Sequence, residues 1–286
     1  MTRRTPTTKR TDRKRAVLTH LETLGVPVSE TELDHFLREG EKAGWSHLEL
    51  LEHLFGEQAA AKRERTIARR IREAGLPGGK SLEAFDWRFN AQAIDRVQIE
   101  ELATGEFVRR GDNLLMIGQS GIGKSHLLEG AARRICTHGY RVRYIASDEL
   151  LADLGASLAD GTMPKRIRYY TRFDLLVIDG FGFDKIERQE IPQALSLLFK
   201  VVDKRNARSS TALISNIDLD LWNEYLGDAP MVMALIDRLM ERAIIMRFPD
   251  AKSYRANSAR QVSPTGTKPS HQTSEKPTKK PPGRKR

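Results

Sequence analysis

Gly118, Gly123, Lys124 and Ser125 stand at the spacing G-x-x-x-x-G-K-[ST], with Gln119, Ser120, Gly121 and Ile122 between the two outer glycines. A loop of this composition suits phosphate. Its glycines let successive backbone N–H groups curl inward as an anion cradle, and a helix opening at Lys124 aims its positive end at the same point. Lys124 is then placed to reach β- and γ-phosphates, and the Ser125 hydroxyl to ligate Mg2+. Asp179 ends the apolar run FDLLVID, and a carboxylate at the C-terminal end of a strand can hold the water shell of that same Mg2+. Four apolar residues and an aspartate mean little alone; following the glycine-rich loop after an intervening strand and helices, they mean more. A third run, TALISN, ends on Asn216. A polar residue there would orient an attacking water or sense a γ-phosphate, although an asparagine closing a strand is also ordinary turn chemistry.

These groups meet only if strands deliver them to one edge of a sheet. Leu114–Ile117, Val142–Ala146, Leu175–Asp179, Ala212–Asn216 and Ile244–Phe248 read as strands, separated by helical segments that include Lys124–His138, Ile191–Lys204 and Pro230–Arg242. Apolar runs alternating with helices predict an α/β fold: a five-stranded parallel sheet, buried on both faces and wrapped by helices.

The chain has 286 residues and 39% hydrophobic content, enough for a substantial core. Its net charge of +10 resides at its two ends. Residues 1–15 and 261–286 are each rich in Lys and Arg, and the intervening body is slightly acidic. Nucleic-acid affinity is therefore assigned to tails and local patches, not to the body as a whole. A single cysteine, Cys136, excludes an internal disulfide framework and reads as a small apolar helix residue. No signal-peptide core and no run of 18 apolar residues is present, so the expectation is a cytoplasmic protein without a membrane partner.

Residues 1–15 and 256–286 read as disordered basic tails. Residues 16–75 read as a helical N-terminal region, with Ser29 and Glu32 at capping-box spacing and a third helix starting near Ser46. The end of that helix crowds Lys62, Arg63, Arg65, Arg69, Arg70 and Arg72 beside an Ile67–Ile71 apolar line. It is either a solvated face or a phosphate-tracking one; the scarcity of Glu partners favours contact with DNA phosphates. The breaker cluster GLPGGK then opens a linker over 76–112, and 113–255 is the expected ATP-binding domain.

In order and spacing, GQSGIGKSHLL, LLVIDGFGF, ALISN, DRL and KSYR resemble the IstB family, ATP-binding helpers of insertion-sequence transposases and AAA+ proteins close to the DnaC helicase loaders. The resemblance runs from about Leu48 to Arg255, and LEAFDW resembles the family's linker. It implies an AAA+ P-loop core, ATP and Mg2+, self-assembly into an oligomer on double-stranded target DNA, and recruitment of a transposase subunit. It makes Asp237-Arg238-Leu239 the segment offering an arginine finger to a neighbouring subunit, with Arg242 as a rival, and Arg255 a nucleotide sensor. A helicase loader acting in replication is the nearest alternative. One position departs from the common AAA+ pattern: Gly180 stands where a second acidic residue would polarise the attacking water. Its loss predicts tight ATP binding with slow hydrolysis, or a DNA-binding scaffold that is liganded by ATP and scarcely turns over, unless Asp184 or Glu187 substitutes.

Overall fold

The computed structural model describes residues 6–182, 193–226, 228–249 and 251–254. Asp184, Glu187, Arg255 and the expected tail over 256–286 lie outside the described residues. Three helices lead the chain: α1 (Pro6–Thr23), α2 (Glu30–Ala43) and α3 (His47–Glu73). Ser29 and Ser46 cap α2 and α3 with both halves of a capping box, Ser29 accepting from the Glu32 amide and Ser46 from that of Glu49. Residues 6–15, expected as part of a disordered tail, instead form the first half of α1. No helix breaker lies between Pro6 and Gly25, and Lys14 is held by Glu30 at 2.9 Å and Asp34 at 2.6 Å. Leu21, Leu33, Phe36 and Leu54 are the buried apolar residues of these helices.

The short helices α4 (Arg96–Ala103) and α5 (Glu106–Arg110) precede the sheet. Its strands are β1 (Asn113–Ile117), β2 (Val142–Ala146), β3 (Leu175–Phe181), β4 (Ser210–Ser215) and β5 (Ala243–Arg247), in the order β2-β3-β4-β1-β5. Every pairing is parallel, and each strand lies within two residues of its sequence expectation at either end, as propensity and burial require of such apolar runs. Alternation along β1 sends Leu114 and Met116 to one face and Leu115 and Ile117 to the other. The first face is covered by the end of α3, by α4 and by α6 (Lys124–Thr137). The second is covered by α7 (Ser147–Ala159), α8 (Met163–Thr171), α9 (Ala194–Arg205) and α11 (Ala229–Met240), with the short α10 (Trp222–Leu226) beside α11. Cys136 is buried in α6, as its apolar reading required. No helix among the described residues is long and apolar enough to cross a membrane.

Arg205 ends α9 and is 1% exposed. Its guanidinium donates to the carbonyls of Tyr170, Phe173 and Ser210 and to Thr211 Oγ1, stitching α8, the start of β3 and β4 together.

Candidate functional site

Parallel strands bring their C-terminal ends to one edge, and the loop from Gly118 to Gly123 follows β1 at that edge. Ile117 pairs with Ser215, and Ala146 with Asp179, so the loop, Asp179 and Asn216 sit at one level of the sheet. They line a cleft of about 700 Å3, within the usual range for a small-ligand site. Gly123 has φ +104°, and a Cβ there would come within 2.8 Å of the Phe85 ring. Glycine is thus required both by conformation and by the close approach of the segment before α4.

Lys124 folds back over the loop. Its ammonium is bonded to the Gly118 carbonyl at 2.6 Å, the Gln119 carbonyl at 2.8 Å and Asn216 Oδ1 at 3.0 Å. Burial lowers its pKa to about 8, with the Asp179 carboxylate pulling the other way. One helical position on, Ser125 Oγ donates to Asp179 Oδ1 at 2.9 Å. The other oxygen, Oδ2, accepts from the Tyr144 hydroxyl at 2.5 Å. That hydroxyl is pushed well above the usual tyrosine value by burial and by Asp179, so it remains a donor. A hydroxyl and a carboxylate at hydrogen-bond distance form an oxygen-only pair, which fits a hard divalent cation such as Mg2+.

Gly180 has its own structural reason. Between Ile178 and Phe181 the register of β3 slips against β4, because Ile178 pairs with Leu213 and Phe181 with Ser215. Three steps on one strand face two on the other, which is a bulge, and Gly180 occupies it at φ +81°. The bulge turns Phe181 into the core, where its ring meets Trp222 at 4.6 Å. No atom outside the neighbouring residues lies within 4 Å of a Cβ built on Gly180, so the position is open although its backbone is left-handed.

The walls of the cleft come from elsewhere. Lys80, Phe85 and Phe89 arrive from the segment between α3 and α4, and Asp148 from the first turn of α7. Tyr254 donates its backbone N–H to the Gly121 carbonyl at 2.9 Å, and its ring meets Phe89 at 5.0 Å. Asn90 clamps this C-terminal segment by bonding both the carbonyl and the N–H of Lys252. Sequence reading drew attention to LEAFDW and KSYR as strings but not to their meeting at the cleft, and it missed Tyr144 altogether.

Arg238 and Arg242 lie at the other edge of the sheet, since Ala243 pairs with Asn113 at the start of β1. Arg238 is bonded to Asp203 at 2.9 Å and Asp237 at 2.8 Å, and Arg242 to Asp112 at 3.3 Å. Neither lines the cleft of its own chain. On α3 the helical repeat puts Lys62, Arg65, Arg69 and Arg72 on one stripe, all exposed. Arg69 has Glu73 at 3.9 Å, and no ion pair involves the other three among the described residues. Arg63 and Arg70 stand off that stripe; Arg70 is half-buried, with its guanidinium near Gly139 at the end of α6.

Residues 19–262 match the family model described as IstB-like ATP binding protein. The ATP-binding protein assigned to insertion sequence IS5376 of Geobacillus stearothermophilus is 31% identical over 216 residues, covering 75% of this chain and 83% of that relative. Its counterpart assigned to insertion sequence IS21 of Pseudomonas aeruginosa is 27% identical over 230 residues, covering 80% of this chain and 84% of its own. Among solved structures, AMPPCP-bound DnaA from Aquifex aeolicus superposes with a TM-score of 0.50 at 20% identity, over 65% of this chain and 55% of that one. This likeness shows the fold, the parallel sheet wrapped by helices described above.

Proposed function

The chain belongs to the IstB-like ATP-binding protein family, and from that premise we propose that it binds ATP with Mg2+ in the cleft and assembles on double-stranded DNA. There it assists a transposase subunit in DNA transposition. The observation that carries the reading is the convergence of Lys124, Ser125, Asp179 and Asn216 at one edge of the sheet. In this reading the loop amides from Gly118 to Ser125 and the start of α6 hold the phosphates, and Lys124 exchanges its carbonyl partners for phosphate oxygens. Ser125 would hold Mg2+ directly and Asp179 through water, and the cation would supply neutralisation of the charge on the phosphates. Asn216, already bonded to the Lys124 ammonium, orients water or senses the γ-phosphate. The α3 stripe and Arg63 track the DNA backbone, and Arg238 serves a neighbouring subunit, which agrees with its absence from its own cleft.

Gly180 supports a refinement: turnover is slow, and the ATP-bound assembly persists on DNA. A bulge glycine supplies no acid to polarise water, whereas Lys124, Ser125, Asp179 and Asn216 meet beside the loop. The test compares wild type with Lys124→Ala. Calorimetry should give saturable MgATP binding for the first and none for the second, and only wild type should gain duplex affinity with ATP. Equal nucleotide affinity in the two proteins refutes the site.

A further inference from the structure

Asp179 sits at the bulge of β3, where backbone pairing alone does not fix a side chain. Both of its oxygens are nevertheless held, Oδ1 by Ser125 at 2.9 Å and Oδ2 by Tyr144 at 2.5 Å. The Tyr144 ring is buried in the core cluster with Ala74, Leu82 and Leu127, so its hydroxyl is as fixed as the core itself. A phenylalanine would fill that space equally well; the hydroxyl has Asp179 to serve. Its backbone is fixed too. Because β2 is an edge strand, its outward N–H groups have no sheet partner, and that of Tyr144 donates to the Ala74 carbonyl at the end of α3, at 2.7 Å. Four residues on, the Gly78 N–H donates to Glu129 Oε1 at 3.0 Å, one turn beyond Ser125 on α6. Gly75 passes so close to the Arg143 guanidinium that a Cβ there would run into it, so the junction packs directly against β2.

We propose that Tyr144 is the positioning residue of the cation side of the site: it orients Asp179 toward Ser125, and through Ala74 it makes that orientation depend on how α3 is seated. The proposal rests on the ATP and Mg2+ reading above. DNA on the basic stripe, which ends two residues before Ala74, then alters the Mg2+ requirement, and MgATP alters duplex affinity by the same factor.

The variant is Tyr144→Phe in the full chain, read by calorimetry of ATP in EDTA and across a Mg2+ titration, with and without a duplex. Metal-free ATP affinity should stay within about twofold, while the Mg2+ concentration giving half-maximal ATP binding should rise about 10- to 100-fold, the usual effect of removing a group that orients a metal ligand. Duplex DNA should shift that concentration in wild type and not in the variant. In an Asp179→Asn background the same substitution should add nothing. An unchanged Mg2+ requirement, a parallel loss of metal-free affinity, or additive effects with Asp179→Asn would overturn the positioning role. A duplex-induced shift that is absent in wild type, or survives in Tyr144→Phe, would overturn the tie to α3. Wild type that binds no ATP would sink the functional reading instead.

Discussion

Raising the pH from 7 to 9 should weaken ATP binding about tenfold through Lys124. Burial sets the Lys124 pKa near about 8, well below an ordinary lysine, against the opposing pull of Asp179. Phosphate oxygens placed against the ammonium favour its charged form and return the pKa toward the ordinary lysine range. Bound ATP thus selects the protonated lysine, and affinity follows the protonated fraction of the free protein, about nine-tenths at pH 7 and about one-tenth at pH 9. Binding should take up about half a proton at pH 8 and nearly a whole one at pH 9. The last phosphate proton of a nucleotide leaves near about pH 6, outside this window. Stability of the free protein moves the other way. A lowered lysine pKa penalises the fold below it, so from about pH 8 to about pH 10.4 the unfolded chain holds the extra proton and stability rises relative to a Lys124→Met variant. The assay is calorimetry at pH 7, 8 and 9, each in two buffers of different ionisation enthalpy at constant salt. An affinity flat across this range with no proton uptake would show that Lys124 is charged throughout and refute the burial argument.

Arg205→Met keeps the volume but leaves the carbonyls of Tyr170, Phe173 and Ser210 without their buried donor, and urea denaturation should show a loss of about 3 to 5 kcal/mol; a loss below about 1 kcal/mol would mean that water replaces the guanidinium. Reversing Arg65 and Arg72 to Glu should lower duplex affinity and reduce the salt slope by about 2, measured by anisotropy between 50 and 200 mM salt, while undiminished binding would make the stripe a solvated face. Arg70 is left out of that test because it is half-buried near the end of α6. Gly180→Glu has room for its side chain but adopts a left-handed backbone at a cost of about 1 to 2 kcal/mol, so melting temperature should fall a few degrees while phosphate release rises. No gain in rate would show that the absent acid is not what limits turnover.

The sheet was legible because parallel strands buried on both faces are continuous apolar runs; NLLMI and LLVID carry their assignment locally. The juxtaposition of Lys124, Ser125 and Asp179 was legible for a related reason, since residues that follow or end parallel strands are delivered to one edge. Tyr144 was not. Its contacts with Asp179 and Ala74 depend on β2 lying beside β3 and on α3 closing the edge, and nothing within VRYIA distinguishes it from a core aromatic. Arg205 was hidden in the same way: DKR at the end of a helix reads as solvated charge, and only the tertiary fold takes that guanidinium out of water. The first half of α1 was misread because composition weighed more than the absence of a helix breaker. Gly180 was noticed as a missing acid, whereas the register slip that calls for a glycine there belongs to pairing with β4.

The strand order also dictates when the cleft can exist. β1 carries the phosphate loop, yet both of its hydrogen-bonded neighbours, β4 and β5, are synthesised long after it. During translation the capped helices α2 and α3 can form early, whereas Leu114–Ile117 lacks its complete first partner until residue 215 has been made and its second until residue 247. At ribosomal speeds that interval lasts roughly ten seconds. Through it the growing chain holds out an unpaired, wholly apolar strand joined to a glycine-rich loop, a segment open to mispairing with other chains. Nucleotide offers no protection then, because a ligand stabilises only a conformation that already binds it. Shielding over that interval falls to whatever meets the chain at the ribosome, and a nucleotide can stabilise the cleft only after β1 has found its partner strands.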